Sequence, residues 1–202
     1  MKNLLYNLFM QNEMADKPKK LFVISGSSGV GKGTVIDGFL KKNPEFKLSI
    51  SYTTRKKRNG EVEGVNYFYT TREDFSEGIK NDEFLEWAEF SGNLYGTKKE
   101  YIKKCLDNKA DILLEIDTQG ALQIKEKLPN SVLIFIAPPS FEELEQRLRR
   151  RNSESEEAIL KRLEFVKFEM ENSKKFDYVV INDEIDNVIA KLEKIINSER
   201  VN

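Results

Sequence analysis

Residues 23–34 read VISGSSGVGKGT: the end of an apolar run, a turn crowded with glycine and serine, and a lysine. The run KLFVIS, from Lys20 to Ser25, has the length and composition of a strand buried on both faces. From Thr34, TVIDGFLKK has helical spacing and closes near Asn43-Pro44. Gly26, Gly31 and Lys32 therefore fall between a strand and a helix, the context in which this glycine spacing holds phosphate. Small residues at Ser27, Ser28 and Gly29, followed by Val30, let successive backbone N–H groups turn inward. Those donors and the positive helix end through Gly33 and Thr34 suit a triphosphate, and Lys32 reaches its β- and γ-phosphates as a point charge.

The stricter form of this motif places Ser or Thr directly after the lysine, where the hydroxyl meets Mg²⁺. Here that position is Gly33 and the hydroxyl arrives at Thr34, about 100° further round the helix. Mg²⁺ is then expected to be held mainly by water and phosphate oxygens, with Thr34, Glu115 and Asp117 as candidate direct ligands. Glu115 and Asp117 end the apolar run DILLEID, and ligands of α/β sheets bind beyond the carboxyl ends of strands. Asp117 is open to two uses, orienting metal-bound water or orienting substrate.

Outward from the loop, strand and helix patterns alternate. FKLSISYTT alternates like a strand with one wet face, and residues 55–65 are polar and glycine-punctuated, which reads as an exposed loop. NYFYTT and EFLEWAEFSGNLYGT are rich in aromatics and flank a short helical stretch, REDFSEGIKN. They predict a small β-rich insertion, with Phe84, Trp87 and Phe90 in its core rather than on a ligand. The α/β rhythm then resumes: a helix over 98–109, the strand DILLEID, the helix QGALQIKEKL, the strand SVLIFIA and the helix SFEELEQRLRRR. A long helix capped by Ser155, the strand YVVIND and a last amphipathic helix complete the chain. Such alternation predicts an α/β fold with a parallel sheet flanked by helices.

The 202 residues hold 33 basic and 34 acidic side chains, a net charge of −1 that gives no global attraction to nucleic acid or anionic membrane. No run approaches the ~18 apolar residues of a membrane span. The leader, residues 1–19, reads as a frayed extension around a start at Met14 rather than as a membrane or partner helix, and the compartment as cytoplasmic. One cysteine, Cys105, forms no internal disulfide and lies on an apolar helical face. The chain has no histidine, so its chemistry runs on Lys, Arg, carboxylates and backbone amides. A phosphate monoester acceptor, already largely an anion at neutral pH, needs no base; an alcohol acceptor would call on a carboxylate. Arg55 and Arg58 after the second strand, Arg147, Arg149, Arg150 and Arg151 at a helix end, and Arg162 beyond it supply cations for transfer between two polyanions.

In order along the chain, SGSSGVGKGT, SISYTTRKKRNGEVEGVNYFY, EFLEWAEFSGNLYGT and LLEIDTQG resemble guanylate kinase, and RLRRRNSESEEAILKR and VVIND extend the likeness from about Leu21 to Ile196. The resemblance implies ATP as donor, Mg²⁺ as cofactor, and a core of 20–50, 98–140 and 170–202. It also implies a GMP-binding insertion over about 51–97 and a helical lid over about 141–169. Arg55, Arg58, Tyr67 and Tyr95 would grip the GMP phosphate. Ser51, Glu86, Thr97 and Asp117 would read guanine, Glu86 accepting from N1–H and the 2-amino group. Arg151 and Arg162, with Arg147 assisting, would meet the transferring phosphoryl group beside Lys32, and Asn182 would lie on the ATP side. Ser27 stands where the family usually has Pro, Glu115 where Asp is common, and RRRN where the lid turn often contains glycine. The rivals are a kinase for another nucleotide, which would not want Glu86 with Ser51, and an inactive scaffold domain, which would not need Gly31-Lys32. Oligomeric state is open.

Overall fold

The computed structural model describes residues 20–107, 110–150 and 156–201. The leader, Arg151 and Ser155 lie outside the described residues, as do the side chains of Arg147 and Arg150. Nine strands and seven α-helices are described. They run β1 (Leu21–Gly26), α1 (Lys32–Lys42), β2 (Phe46–Ser49), β3 (Tyr52–Thr53), β4 (Phe68–Tyr69), α2 (Arg72–Lys80), β5 (Phe84–Phe90) and β6 (Asn93–Lys98). There follow α3 (Lys99–Asp107), β7 (Asp111–Glu115), α4 (Thr118–Lys127), β8 (Val132–Ala137), α5 (Phe141–Arg150), α6 (Glu156–Asn172), β9 (Tyr178–Ile181) and α7 (Ile185–Val201).

The larger sheet has the order β2-β7-β1-β8-β9, and every pair in it is parallel. All six residues of β1 and of β8 are buried because helices cover both faces, which is why these strands read as unbroken apolar runs. Leu21 and Val23 point to one face, where Ile102 and Leu106 of α3 and Ala121 and Ile124 of α4 pack. Phe22 and Ile24 point to the other, against Val35, Ile36 and Phe39 of α1 and Val188, Ile189, Leu192 and Ile196 of α7. The β1–α1 turn therefore emerges at the carboxyl edge of the sheet's central strand.

The second sheet has the order β4-β3-β6-β5, with β3–β4 parallel and the other pairs antiparallel. Phe75 of α2 stacks on Phe84 of β5 with ring centroids 4.2 Å apart, and Leu94 completes that small core. This sheet is sutured to α4. Gln123 accepts from the Trp87 amide and donates to the Trp87 carbonyl, and Lys127 donates to the Leu85 carbonyl.

Two expectations change. FKLSISYTT is two strands rather than one: β2 belongs to the large sheet and β3 to the small one, the chain crossing between them at Ile50 and Ser51. Of the three aromatics assigned to the insertion's core, Phe84 is buried, but Trp87 is 38 % exposed. Phe90 is half-buried and meets Phe165 of α6 at 5.0 Å between ring centroids. An aromatic side chain marks an apolar surface without saying which element covers it. Among the described residues, no helix is long and apolar enough to cross a membrane.

Candidate active site

The turn between β1 and α1 is shaped by what its glycines permit. A Cβ at Gly26 would run into the carbonyl oxygen of Ile136 on β8. Gly31, which caps α1, has φ 96°, in the left-handed region open to glycine. The first amide of α1 to bond back within the helix is that of Val35, to the Gly31 carbonyl. The amides of Lys32, Gly33 and Thr34 are thus the orphan donors of the first turn, set at the positive end of the helix. The Lys32 ammonium reaches back across the turn to the Gly26 carbonyl, 2.7 Å away.

The earlier amides are used differently from the sequence expectation. Ser27 donates its N–H to Ile136 O, Ser28 to a carboxylate oxygen of Glu169 at 2.8 Å, and Val30 to Ser27 O. These bonds set the loop's shape, and the orphan donors of the first helical turn lie nearer Lys32. Asn182, buried at the end of β9, spends its side-chain amide on the Val30 carbonyl (2.6 Å), so it braces the loop from behind.

Glu115 and Asp117 stand at the carboxyl end of β7, beside the loop. Asp117 is the N-cap of α4 and accepts from the Gly120 amide at 2.8 Å. Burial pushes both carboxyls above the usual carboxylate range, while Lys32 draws each back. Burial raises the Tyr67 hydroxyl too, and the Glu115 charge raises it further. One carboxylate is felt by Lys32 of the phosphate loop and by Tyr67 of the small-sheet side, which makes the two regions a single electrostatic neighbourhood. Among the described residues, no group of three or more His, Cys, Asp or Glu side chains gathers as a metal cage. The oxygen donors present, the Glu115 and Asp117 carboxylates and the exposed Thr34 hydroxyl, suit a hard cation that keeps most of its waters.

Across the small sheet, Glu86 of β5 faces Thr97 of β6. Glu86 is 3 % exposed and its Oε1 makes no hydrogen bond among the described residues; the same holds for the Thr97 hydroxyl. Burial pushes the Glu86 carboxyl up to about 7, Asp117 adds to the rise, and Thr97 and Lys127 counter it. Its other oxygen lies over Gly120, where any Cβ would collide with it. Gly120 was not singled out from the sequence, although it lies in the LLEIDTQG stretch that carries the resemblance.

Arg55 is gripped by Glu61 through both of its terminal nitrogens, at 2.7 and 3.1 Å. Glu61 also accepts from the Arg58 amide and the Tyr69 hydroxyl, and this company holds its carboxyl at about 2. The Arg55 guanidinium lies 5.3 Å from the Tyr67 ring centroid, and Tyr67 meets Tyr95 edge-on. Arg55, Tyr67 and Tyr95 are therefore together. Arg58 contributes its amide to the cluster and is exposed, and Ser51 sits at the crossover between the sheets, its carbonyl accepting the Phe68 amide. Glu61 was missed; it is one of two acids, with Glu63, that follow the basic run 55–58, and nothing local distinguishes it.

From α6, Arg162 donates to the Ser28 hydroxyl at 3.1 Å, which sets this guanidinium on the phosphate loop. Arg149 instead pairs with Glu145 and Glu156, tying α5 to α6 on an exposed face.

This geometry has close relatives. The family model described as guanylate kinase matches residues 18–199. The guanylate kinase of Caldanaerobacter subterraneus subsp. tengcongensis is 49 % identical over 180 residues, covering 89 % of this chain and 87 % of that protein. That of Clostridium perfringens is 47 % identical over 180 residues, covering 89 % and 83 %. The crystal structure of guanylate kinase from Anaplasma phagocytophilum superposes with a TM-score of 0.76 at 32 % identity, covering 93 % of this chain and 89 % of that one. With a phosphate loop, a buried acid on a separate small sheet and the matches running nearly end to end, the chain belongs to the guanylate kinase family.

Proposed function

We propose that the chain transfers the γ-phosphoryl group of ATP to GMP, giving ADP and GDP, with dGMP as a weaker acceptor. The observation that carries this reading is the buried Glu86 carboxylate, with an oxygen that has no hydrogen-bond partner among the described residues, facing Thr97 and within the electrostatic reach of Asp117. Guanine offers two adjacent donors, N1–H and the 2-amino group, to such an acceptor. Adenine offers an acceptor at N1 and no 2-amino group, leaving a desolvated carboxylate unpaired.

The GMP phosphate lies on Arg55 and Arg58 with Tyr67 and Tyr95, and Ser51, Thr97 and Asp117 complete the base pocket with Glu86. ATP lies on the turn from Gly26 to Thr34, its phosphates on the first-turn amides of α1 and the Lys32 ammonium. The attacking phosphate oxygen is already anionic at neutral pH, so no general base is required. Lys32, Arg162, Arg147 and Arg151 neutralise the charge that spreads over the transferring group. When bound, Mg²⁺ neutralises phosphate oxygens, reached through water or from Thr34, Glu115 and Asp117. A lid over about 141–169 closes over the core while the insertion over about 51–97 carries GMP inward, excluding water from the reaction. Such an enzyme works where the nucleotide pools are, in the cytoplasm, on small molecules rather than nucleic acid.

ADP release from ATP and Mg²⁺, with GMP, dGMP, AMP, CMP, UMP and dTMP offered separately, tests this. Turnover confined to the guanine nucleotides is expected. Turnover with another base would remove the Glu86 assignment, and ATP binding without any turnover would point to the scaffold reading.

A further inference from the structure

Glu169 has no place in the chemistry above, yet it is 2 % exposed and lies against the phosphate loop. Burying an acid is unfavourable unless it is well bonded, and the hydrogen bond it has here comes from a neutral amide, that of Ser28, at 2.8 Å. A helix that merely needed to pack on the loop would do so more stably with an apolar residue. The acid's position on α6 explains its use. Arg162 is seven residues earlier, nearly two full turns, so the two side chains leave the same face of the helix. Both end on Ser28: Arg162 on its hydroxyl at 3.1 Å, Glu169 on its amide. Met170 adds its sulfur to the Ser27 hydroxyl at 3.4 Å. One helix thus holds the loop by two consecutive residues.

We propose that Glu169 is a positioning residue of the ATP site, registering the phosphate loop against the helix that carries Arg162. This rests on the reading of that loop as the ATP site. With the Ser28 amide held, the loop keeps the shape that aims the donors from Lys32 to Thr34 at phosphate, and Arg162 is kept beside them. The group's surroundings fit a residue that must tolerate a triphosphate nearby. Burial pushes its carboxyl up to about 7, with Asp117 adding to the rise and Ser28, Lys32 and Arg162 opposing it.

The test is calorimetric binding of ATP with Mg²⁺, and separately of GMP, to the full chain and to Glu169→Gln, Glu169→Asp and Glu169→Ala. Glutamine keeps a neutral acceptor at the same reach; aspartate keeps the acid but draws it back from the amide by one methylene. For Ala and Asp, loss of one buried hydrogen bond predicts about tenfold weaker ATP binding. GMP affinity is expected to stay within about twofold, and Gln to retain ATP affinity within about threefold. The Asp variant carries the test if Ala does not fold. Equal weakening of both nucleotides, no weakening of ATP, or Gln as impaired as Ala would each overturn the proposal. Parent protein that binds ATP but does not turn over GMP would overturn the acceptor reading and leave this comparison intact.

Discussion

Glu86 and Thr97 oppose each other across the antiparallel β5–β6 pair, and each keeps one buried oxygen without a hydrogen-bond partner among the described residues. Buried polar atoms are nearly always satisfied, and at these two facing oxygens the proposed guanine would supply the missing bonds. Glu86→Gln turns one acceptor into a donor facing guanine's donors. It is expected to raise KM for GMP about 10- to 100-fold, in line with hydrogen bonds to a charged group, with KM for ATP unchanged. Steady-state kinetics with each nucleotide varied in turn checks this. A rise shared by both nucleotides would mean a general distortion.

The same carboxyl is expected to give GMP binding a pH dependence. Only the ionised form accepts from both guanine donors; the protonated form presents an O–H to them. Burial holds the group at about 7, so GMP affinity is expected to strengthen as pH rises through that value. The GMP phosphate, whose second pKa is near 6, contributes its own dependence at lower pH. Binding measured from about pH 6 to 8 should therefore show a steeper rise for the parent than for Glu86→Gln. Superimposable profiles would remove Glu86 from the guanine edge.

Glu61 organises Arg55 rather than opposing it. Its carboxylate collects both Arg55 nitrogens, the Arg58 amide and the Tyr69 hydroxyl, so it orders the loop proposed to grip the GMP phosphate. Glu61→Ala is expected to weaken GMP roughly 5- to 30-fold through loss of that order, while ATP binding is unchanged. Tighter GMP binding in the variant would show instead that Glu61 competes with phosphate for Arg55.

How much of this was legible beforehand depended on how local the signal was. The phosphate turn was readable because the steric demands at Gly26 and Gly31, and the lysine after them, lie within a few residues of one another. The large sheet was readable because β1 and β8 carry unbroken apolar runs. By contrast, the alternation of FKLSISYTT continues smoothly past Ile50 and Ser51, and only distant partners, β7 for one half and β6 for the other, divide it. Glu169 was hidden for a related reason. It is one acid among several in α6, with Glu164 and Glu171 close by, and nothing local distinguishes the one that meets Ser28. Asp117 was read as a candidate site acid, but its bond to the Gly120 amide needed the start of α4 to be seen.

Gly120 supplies a test of the base pocket from outside it. It lies in the first turn of α4 with the Glu86 carboxylate against its α-carbon, and Ile116 closes the space beside it. Both backbones are held, one in a helix and one in a sheet, so Gly120→Ala forces the carboxylate to leave its seat. In an otherwise unaltered chain this is expected to raise KM for GMP about tenfold or more and to lower stability by roughly 1–3 kcal/mol, the usual range for overpacking. In a Glu86→Ala background the obstacle is gone, and alanine is the better helix former. There Gly120→Ala is expected to stabilise by up to about 1 kcal/mol. The change of sign between the two backgrounds, read from denaturant midpoints in a double-mutant cycle, isolates the Glu86–Gly120 contact. The same destabilisation in both backgrounds would mean that something other than the carboxylate excludes a side chain at position 120.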